Sequence, residues 1–141
     1  MKIFVPGRIC LFGEHSDWAG GYRRINVDVE RGYTLITGTN QGIYAEIEPH
    51  PNALVLSSTT ETGDIHGPYE IPMESKTLLA EAQRGGYWSY AAGVAYQIMT
   101  NYHVRGLVIN NYKTDLPIKK GLSSSAAISV LTARAFNRIY D

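Results

Sequence analysis

The sequence predicts an α+β domain, a mixed β-sheet with helices packed against it, and three observations carry that expectation. Short β-prone stretches crowd the first half of the chain, at residues 2–12, 33–37, 42–48, 54–57 and 69–71. Apolar residues at helical spacing dominate the second half, over 87–100 and 126–140. A strand-like run, 106–112, leads through a Gly/Ser loop into the last of those helices. Strands first and β–loop–α units later is the order of an α+β chain. At 141 residues, 44% hydrophobic and 18% charged, the chain is long and apolar enough for one domain with its own core.

Along the chain, residues 2–12 are apolar and β-prone, broken by Pro6-Gly7. Residues 14–22 are polar and turn-rich and end at Gly20-Gly21. The stretches 33–37 and 42–48 alternate apolar and polar side chains, and Asn40-Gln41-Gly42 between them reads as a hairpin turn. Residues 57–68, rich in Ser, Thr and Gly, form a loop between two short strands. Residues 78–83 make a helical turn that stops at Gly85-Gly86. Trp88, Ala91, Ala92, Ala95, Ile98, Met99 and Tyr102 then fall on one helical stripe. The last helix carries Ile128, Leu131, Ala135 and Ile139 on its apolar face and reaches Asp141 without a Gly or Pro stop signal. That ending is the expectation of a larger protein cut short.

Bulk properties narrow the function. Thirteen basic and thirteen acidic residues balance to a net charge of zero, which disfavours nucleic acid and membrane surfaces as partners. No apolar stretch has the length of a secretory signal or a membrane span, so the cytoplasm is the expected location. The lone Cys10 excludes an intrachain disulfide and reads as a small core residue. His50, His66 and His103 are spread over loop-like segments and read as surface histidines.

Two constellations carry chemistry. The first is Gly121-Leu122-Ser123-Ser124-Ser125-Ala126-Ala127, directly before the last helix. Free amides of a first helical turn, the positive end of the helix dipole and three hydroxyls suit phosphate. Plain helix capping by serine is the bland alternative, and phosphate binding is preferred over it. The loop is not a Walker motif, since it lacks Gly-Lys-Ser/Thr, and the adjacent Lys119 and Lys120 read as solvated charges.

The second constellation runs from Pro6 to Gly21: Arg8 heads an apolar strand, and Glu14, His15 and Asp17 cluster in a Gly-rich turn. Carboxylates so placed accept hydrogen bonds from the vicinal hydroxyls of a polyhydroxylated ligand. Arg8 suits a phosphate or a catalytic carboxylate. A polar loop with a helix cap explains the same composition equally well. His-x-Asp without a third ligand nearby does not make a metal site. Tyr87 and Tyr90 suit stacking on a nucleotide base, although aromatics at helical spacing are more often core.

Taken together these residues resemble the GHMP kinase superfamily, and within it the galactokinase family. Gly7, Arg8, Leu11, Gly13, Glu14, His15, Asp17, Gly20 and Gly21 match the pattern Gly-Arg-x-Asn-Leu-x-Gly-Glu-His-Thr-Asp-Tyr-Asn-Gly-Gly. Residues 87–94 are similar to that family's Trp-x-x-Tyr-x-x-Gly-Val helix, and the serine loop is similar to the superfamily's phosphate motif. Residues 23–86 carry no recognisable motif. Cys10, Ala19, Tyr87, Arg23-Arg24-Ile25 and Lys119 depart from the pattern.

The resemblance implies an N-terminal, ATP- and substrate-binding domain over 1–141, with the C-terminal domain absent. It implies transfer of the γ-phosphate of Mg·ATP to a monosaccharide hydroxyl, the anomeric one by analogy with galactokinase. Glu14, His15, Asp17, Gly20 and Gly21 would meet the sugar, and Arg8 would sit by the transferred phosphoryl. Tyr87 and Tyr90 would line the adenine pocket. Gly121, Leu122, Ser123, Ser124 and Ser125 would hold the phosphates, with Ser125 as the Mg2+ ligand. The catalytic aspartate is expected beyond Asp141, so these residues alone are expected to be inactive. Another acceptor such as mevalonate, or a non-catalytic regulator that binds sugar and ATP, are the alternatives.

Overall fold

A computed structural model describes residues 1–14, 16, 19–116 and 124–140. Five strands form one sheet: β1 (Lys2–Phe12), β2 (Leu35–His50), β3 (Ala53–Thr59), β4 (Ile65–Pro72) and β5 (Gly106–Thr114). Among the described residues three helices accompany them: α1 (Ser75–Arg84), α2 (Ser89–Asn101) and α3 (Ser124–Tyr140). A 3-10 turn covers Ala19–Arg24. Strand order is β1-β2-β5-β3-β4. β5 runs parallel to β3 and all other pairs are antiparallel, so the expected mixed sheet is present. No helix among the described residues is long and apolar enough to cross a membrane.

The core lies between one face of the sheet and the helices. Ile3 and Val5 of β1 alternate inward, as do Ile43, Ala45 and Ile47 of β2, and Leu54 and Leu56 of β3. From α2 come Ala91, Ala92 and Ala95, and from α3 come Ala127, Leu131, Ala135 and Phe136. The small alanines let the two helices approach each other closely, while Leu131 and Phe136 of α3 are both almost fully buried. α1 stops where Gly85 turns left-handed at φ 72°.

Two expectations are corrected. Asn40-Gln41-Gly42 is not a hairpin turn, because β2 runs unbroken from Leu35 to His50. Gly42 is there for close packing: a Cβ on it would stand 2.3 Å from the Phe4 ring and from the Val5 carbonyl. Cys10 is not a core residue. It sits half-buried in the outer part of the β1–β2 ribbon, paired with Ile36, and its Sγ donates to the Phe12 carbonyl at 3.2 Å.

The end of β5 is tied down just before the serine loop. The Asp115 carboxylate accepts from the Gly42 amide at 2.6 Å, the Asp115 amide donates to the Gly42 carbonyl at 3.1 Å, and Leu116 is fully buried. The Gly42 hydrogen bond, helped by Lys113 at 3.2 Å, holds the Asp115 carboxyl below its ordinary 3.8. A depressed folded value contributes stability that is complete above the unfolded pKa and is lost as pH falls through the folded one. Asp115→Asn is therefore expected to cost about 1 kcal/mol at neutral pH. Urea denaturation of variant and parent should give that gap at pH 7 and a shrinking gap as the pH falls below 3.8. A gap that stays constant with pH would contradict the assignment.

Candidate active site

One cavity, of about 270 Å3, opens where the sheet's core face runs out of apolar residues. Its walls come from five places: Ile43 of β2, the end of β3 and the residue after it (Ser58, Thr59, Thr60), the end of β5 (Asn111, Thr114), Gly86, Tyr87, Trp88 and Tyr90 around the start of α2, and the start of α3 (Ser124, Ser125, Ile128). Tyr87, Tyr90, Ser124 and Ser125, taken from two distant parts of the sequence, thus line a single cavity. The helix begins at Ser124, two residues before the stripe at Ala126 suggested, so both serines belong to its first turn. Ser124 is half-buried and Ser125 is exposed. No acidic residue stands in that turn, which leaves its positive end open to an anion.

Aromatic rings build the other side. Tyr87 meets Trp88 edge-on at 4.6 Å and lies 4.8 Å from the His66 ring, and Trp88 stacks on Tyr69 at 6.0 Å. His66 is exposed, as the sequence suggested, yet its ring supports Tyr87. Tyr69 in turn donates to the buried carboxylate of Glu81 at 3.1 Å, which Arg84 pairs at 2.9 Å. Tyr87 and Tyr90 are themselves 53% and 56% exposed, so they are not core aromatics.

Sequence reasoning missed the cavity floor. Ser58 and Asn111 are buried and directly paired in the β3–β5 register. They continue the inward rows Leu54-Leu56 and Leu107-Ile109, so alternation on each strand runs apolar, apolar, polar. That break of pattern was the available signal. The Asn111 amide nitrogen faces the Tyr44 and Lys113 carbonyls at 3.0 and 2.9 Å, and its oxygen accepts from Ser58 at 3.0 Å and from Thr114 at 2.9 Å. The Tyr87 hydroxyl donates to Ser58 at 2.9 Å.

Of the second constellation, the described Arg8 and Glu14 are not among the residues that line this cavity. Arg8 and Glu14 form an ion pair at 3.4 Å, both about half exposed. A side-chain hydrogen bond to Glu14, then burial and the Glu14 charge, push the Cys10 thiol up, away from the reactive thiolate. His15 and Asp17 lie outside the described residues, as do Gly121, Leu122 and Ser123.

Ser16 ties together the backbone at Gly13 and at Gly32-Tyr33. Its Oγ lies 2.7 Å from the Gly13 carbonyl and 2.9 Å from that of Tyr33, and its backbone passes so close to Gly32 that a Cβ there would stand 1.5 Å from the Ser16 carbonyl. Gly13, at φ 81°, takes the left-handed angle this requires. Gly20 lines a wide, open hollow with Arg23, Arg31 and Gly32, and Gly21 is exposed beside it in the same turn. Among the described residues no group of three His, Cys, Asp or Glu is placed to hold a metal ion.

Residues 89–141 match the model of the family described as GHMP kinases N terminal domain. The galactokinase of Thermococcus kodakarensis is 28% identical over 142 residues, covering 100% of this chain and 34% of that protein. The galactokinase of Lacticaseibacillus paracasei is 30% identical over 143 residues, covering 99% of this chain and 32% of that protein. The chain thus spans about a third of the length of the curated relatives it matches. Among solved structures, the mevalonate kinase of Methanococcus jannaschii superposes with a TM-score of 0.70 at 20% identity, over 100% of this chain and 40% of that one. At that identity the likeness establishes the fold.

Proposed function

We propose that this chain, which belongs to the GHMP kinase superfamily, supplies the nucleotide and acceptor sites of an ATP-dependent sugar kinase. The observation that carries the reading is the shared cavity. An aromatic wall suited to a base and a helix N-terminus suited to phosphates face one space. The two galactokinases favour a monosaccharide over mevalonate as acceptor. The likeness to mevalonate kinase speaks for the fold and not for the acceptor.

In this reading Tyr87 and Tyr90 hold the base, and the first turn of α3, with the serine loop leading into it, holds the phosphates. Phosphoryl transfer asks the protein chiefly for position and charge neutralisation. The α3 amides and the Arg8 guanidinium are the groups assigned to that task. Glu14, His15, Asp17, Gly20 and Gly21 orient the sugar hydroxyls. Mg2+ would be held chiefly by the phosphates and water, with the Ser125 hydroxyl as the oxygen this chain contributes, as the Ser/Thr of a phosphate loop does. When bound it would neutralise phosphate charge. The aspartate that takes the acceptor's proton is assigned beyond Asp141, by the resemblance alone. The protein that carries this chain is read as cytoplasmic.

The test is Mg·ATP turnover by the full-length protein with a panel of acceptors: neutral and acidic monosaccharides, and mevalonate. The acidic sugars belong in the panel because Arg23 and Arg31 stand beside Gly20. Saturable phosphorylation of a monosaccharide is expected. Turnover of mevalonate alone would contradict the acceptor class. Binding of ATP and sugar without turnover would point to a regulator instead.

A further inference from the structure

We infer that Ser58 and Asn111 act as positioning residues that make the nucleotide pocket select adenine over guanine, by fixing the direction of the Tyr87 hydroxyl proton. The inference rests on the nucleotide reading of the cavity and adds to it a route to base specificity.

The argument follows protons inward to outward. The carbonyls of Tyr44 and Lys113 can only accept, and both lie within 3.0 Å of one end of the Asn111 side chain. That end must therefore be the amide nitrogen. The amide oxygen then faces Ser58, and an amide oxygen can only accept, so the Ser58 hydroxyl donates to it at 3.0 Å. With its single proton committed, Ser58 receives the Tyr87 hydroxyl proton across 2.9 Å. Ser58 and Asn111 are 4% and 2% exposed, so water does not compete for the bond between them. The order Tyr87 to Ser58 to Asn111 to the backbone carbonyls has one direction only.

The consequence falls on the ligand. Tyr87 lines the cavity with its ring held by Trp88 and His66, and its hydroxyl has acceptor capacity left and no proton to give. An acceptor meets the exocyclic amino group of adenine well. Against the corresponding oxo group of guanine it sets two lone pairs face to face, and a site built for one polarity rejects the other strongly. Asn111 has every donor and acceptor occupied within the chain, so its part is to hold Ser58 and not to touch the base.

The test is the ratio of kcat/KM for ATP to that for GTP, measured on the full-length protein and two variants. The parent is expected to prefer ATP at least tenfold. Ser58→Ala frees the Tyr87 proton and should lower the ratio about fivefold or more, chiefly by raising use of GTP. Tyr87→Phe removes the acceptor and with it the clash, and should lower the ratio through a loss with ATP together with a gain with GTP. A purely structural role would weaken both nucleotides together and leave the ratio alone. Since Tyr87 is half exposed, Tyr87→Phe carries the test if Ser58→Ala does not fold. A ratio unchanged within twofold in a folded Tyr87→Phe overturns the inference while the nucleotide reading stands. A parent that uses and binds neither nucleotide overturns that reading, and this inference with it.

Discussion

Ser124→Asp is expected to abolish nucleotide binding while leaving the domain as stable as before or slightly more so. The two effects part because one charge meets two different neighbours. A carboxylate in the first turn of α3 complements the helix dipole, worth about 0.3–1 kcal/mol to the fold. The same carboxylate would face the phosphates held at that turn. Two unit charges about 4 Å apart repel by about 4 kcal/mol at an effective dielectric constant near 20, or about a thousandfold in affinity. Ser124 is half-buried and lines the cavity, so the new charge cannot simply turn away into solvent. Calorimetric titration of Mg·ATP into the full-length variant, beside its thermal melt, checks both halves. Unimpaired binding in a stable variant would place the phosphates elsewhere.

Arg8→Ala should lower kcat/KM by about a hundredfold with little change in melting temperature. Removing one preorganised group that meets developing charge costs about two to three powers of ten. The guanidinium is 45% exposed and its ion pair with Glu14 is long, at 3.4 Å, so loss of that pair costs the fold little. Arg8→Lys should recover only part of the loss, since an ammonium cannot reproduce a planar, two-pronged contact. Steady-state kinetics with the preferred acceptor decide it. Parent-like kcat/KM in Arg8→Ala would leave Arg8 with a merely structural pair.

Element types were legible in the sequence because most segments keep one period throughout. Residues 87–100 and 126–140 hold the helical spacing, and α2 and α3 follow within two residues at their starts. Asn40-Gln41-Gly42 misled because turn chemistry and strand packing both use glycine. At Gly42 the Phe4 ring and the Val5 carbonyl make the demand, and both belong to a strand some forty residues away. Cys10 misled for a related reason: its apolar neighbours Ile9, Leu11 and Phe12 lie in the ribbon beyond the helices and are exposed.

The cavity was legible in part, since Tyr87, Tyr90, Ser124 and Ser125 stand out in the sequence and all four line it. It was not legible where chemistry arises from register. Ser58 and Asn111 stand 53 positions apart and become a pair only because β5 inserts beside β3 in parallel. Ser16 was hidden similarly, since its partner Tyr33 is 17 residues further on.

The most direct measurement is a crystal structure of the full-length protein with Mg2+ and a non-hydrolysable ATP analogue. The terminal phosphates should lie within hydrogen-bonding distance of the Ser124 and Ser125 amides, with the base against Tyr87. A triphosphate bound elsewhere, with the first turn of α3 facing only solvent, would contradict the account.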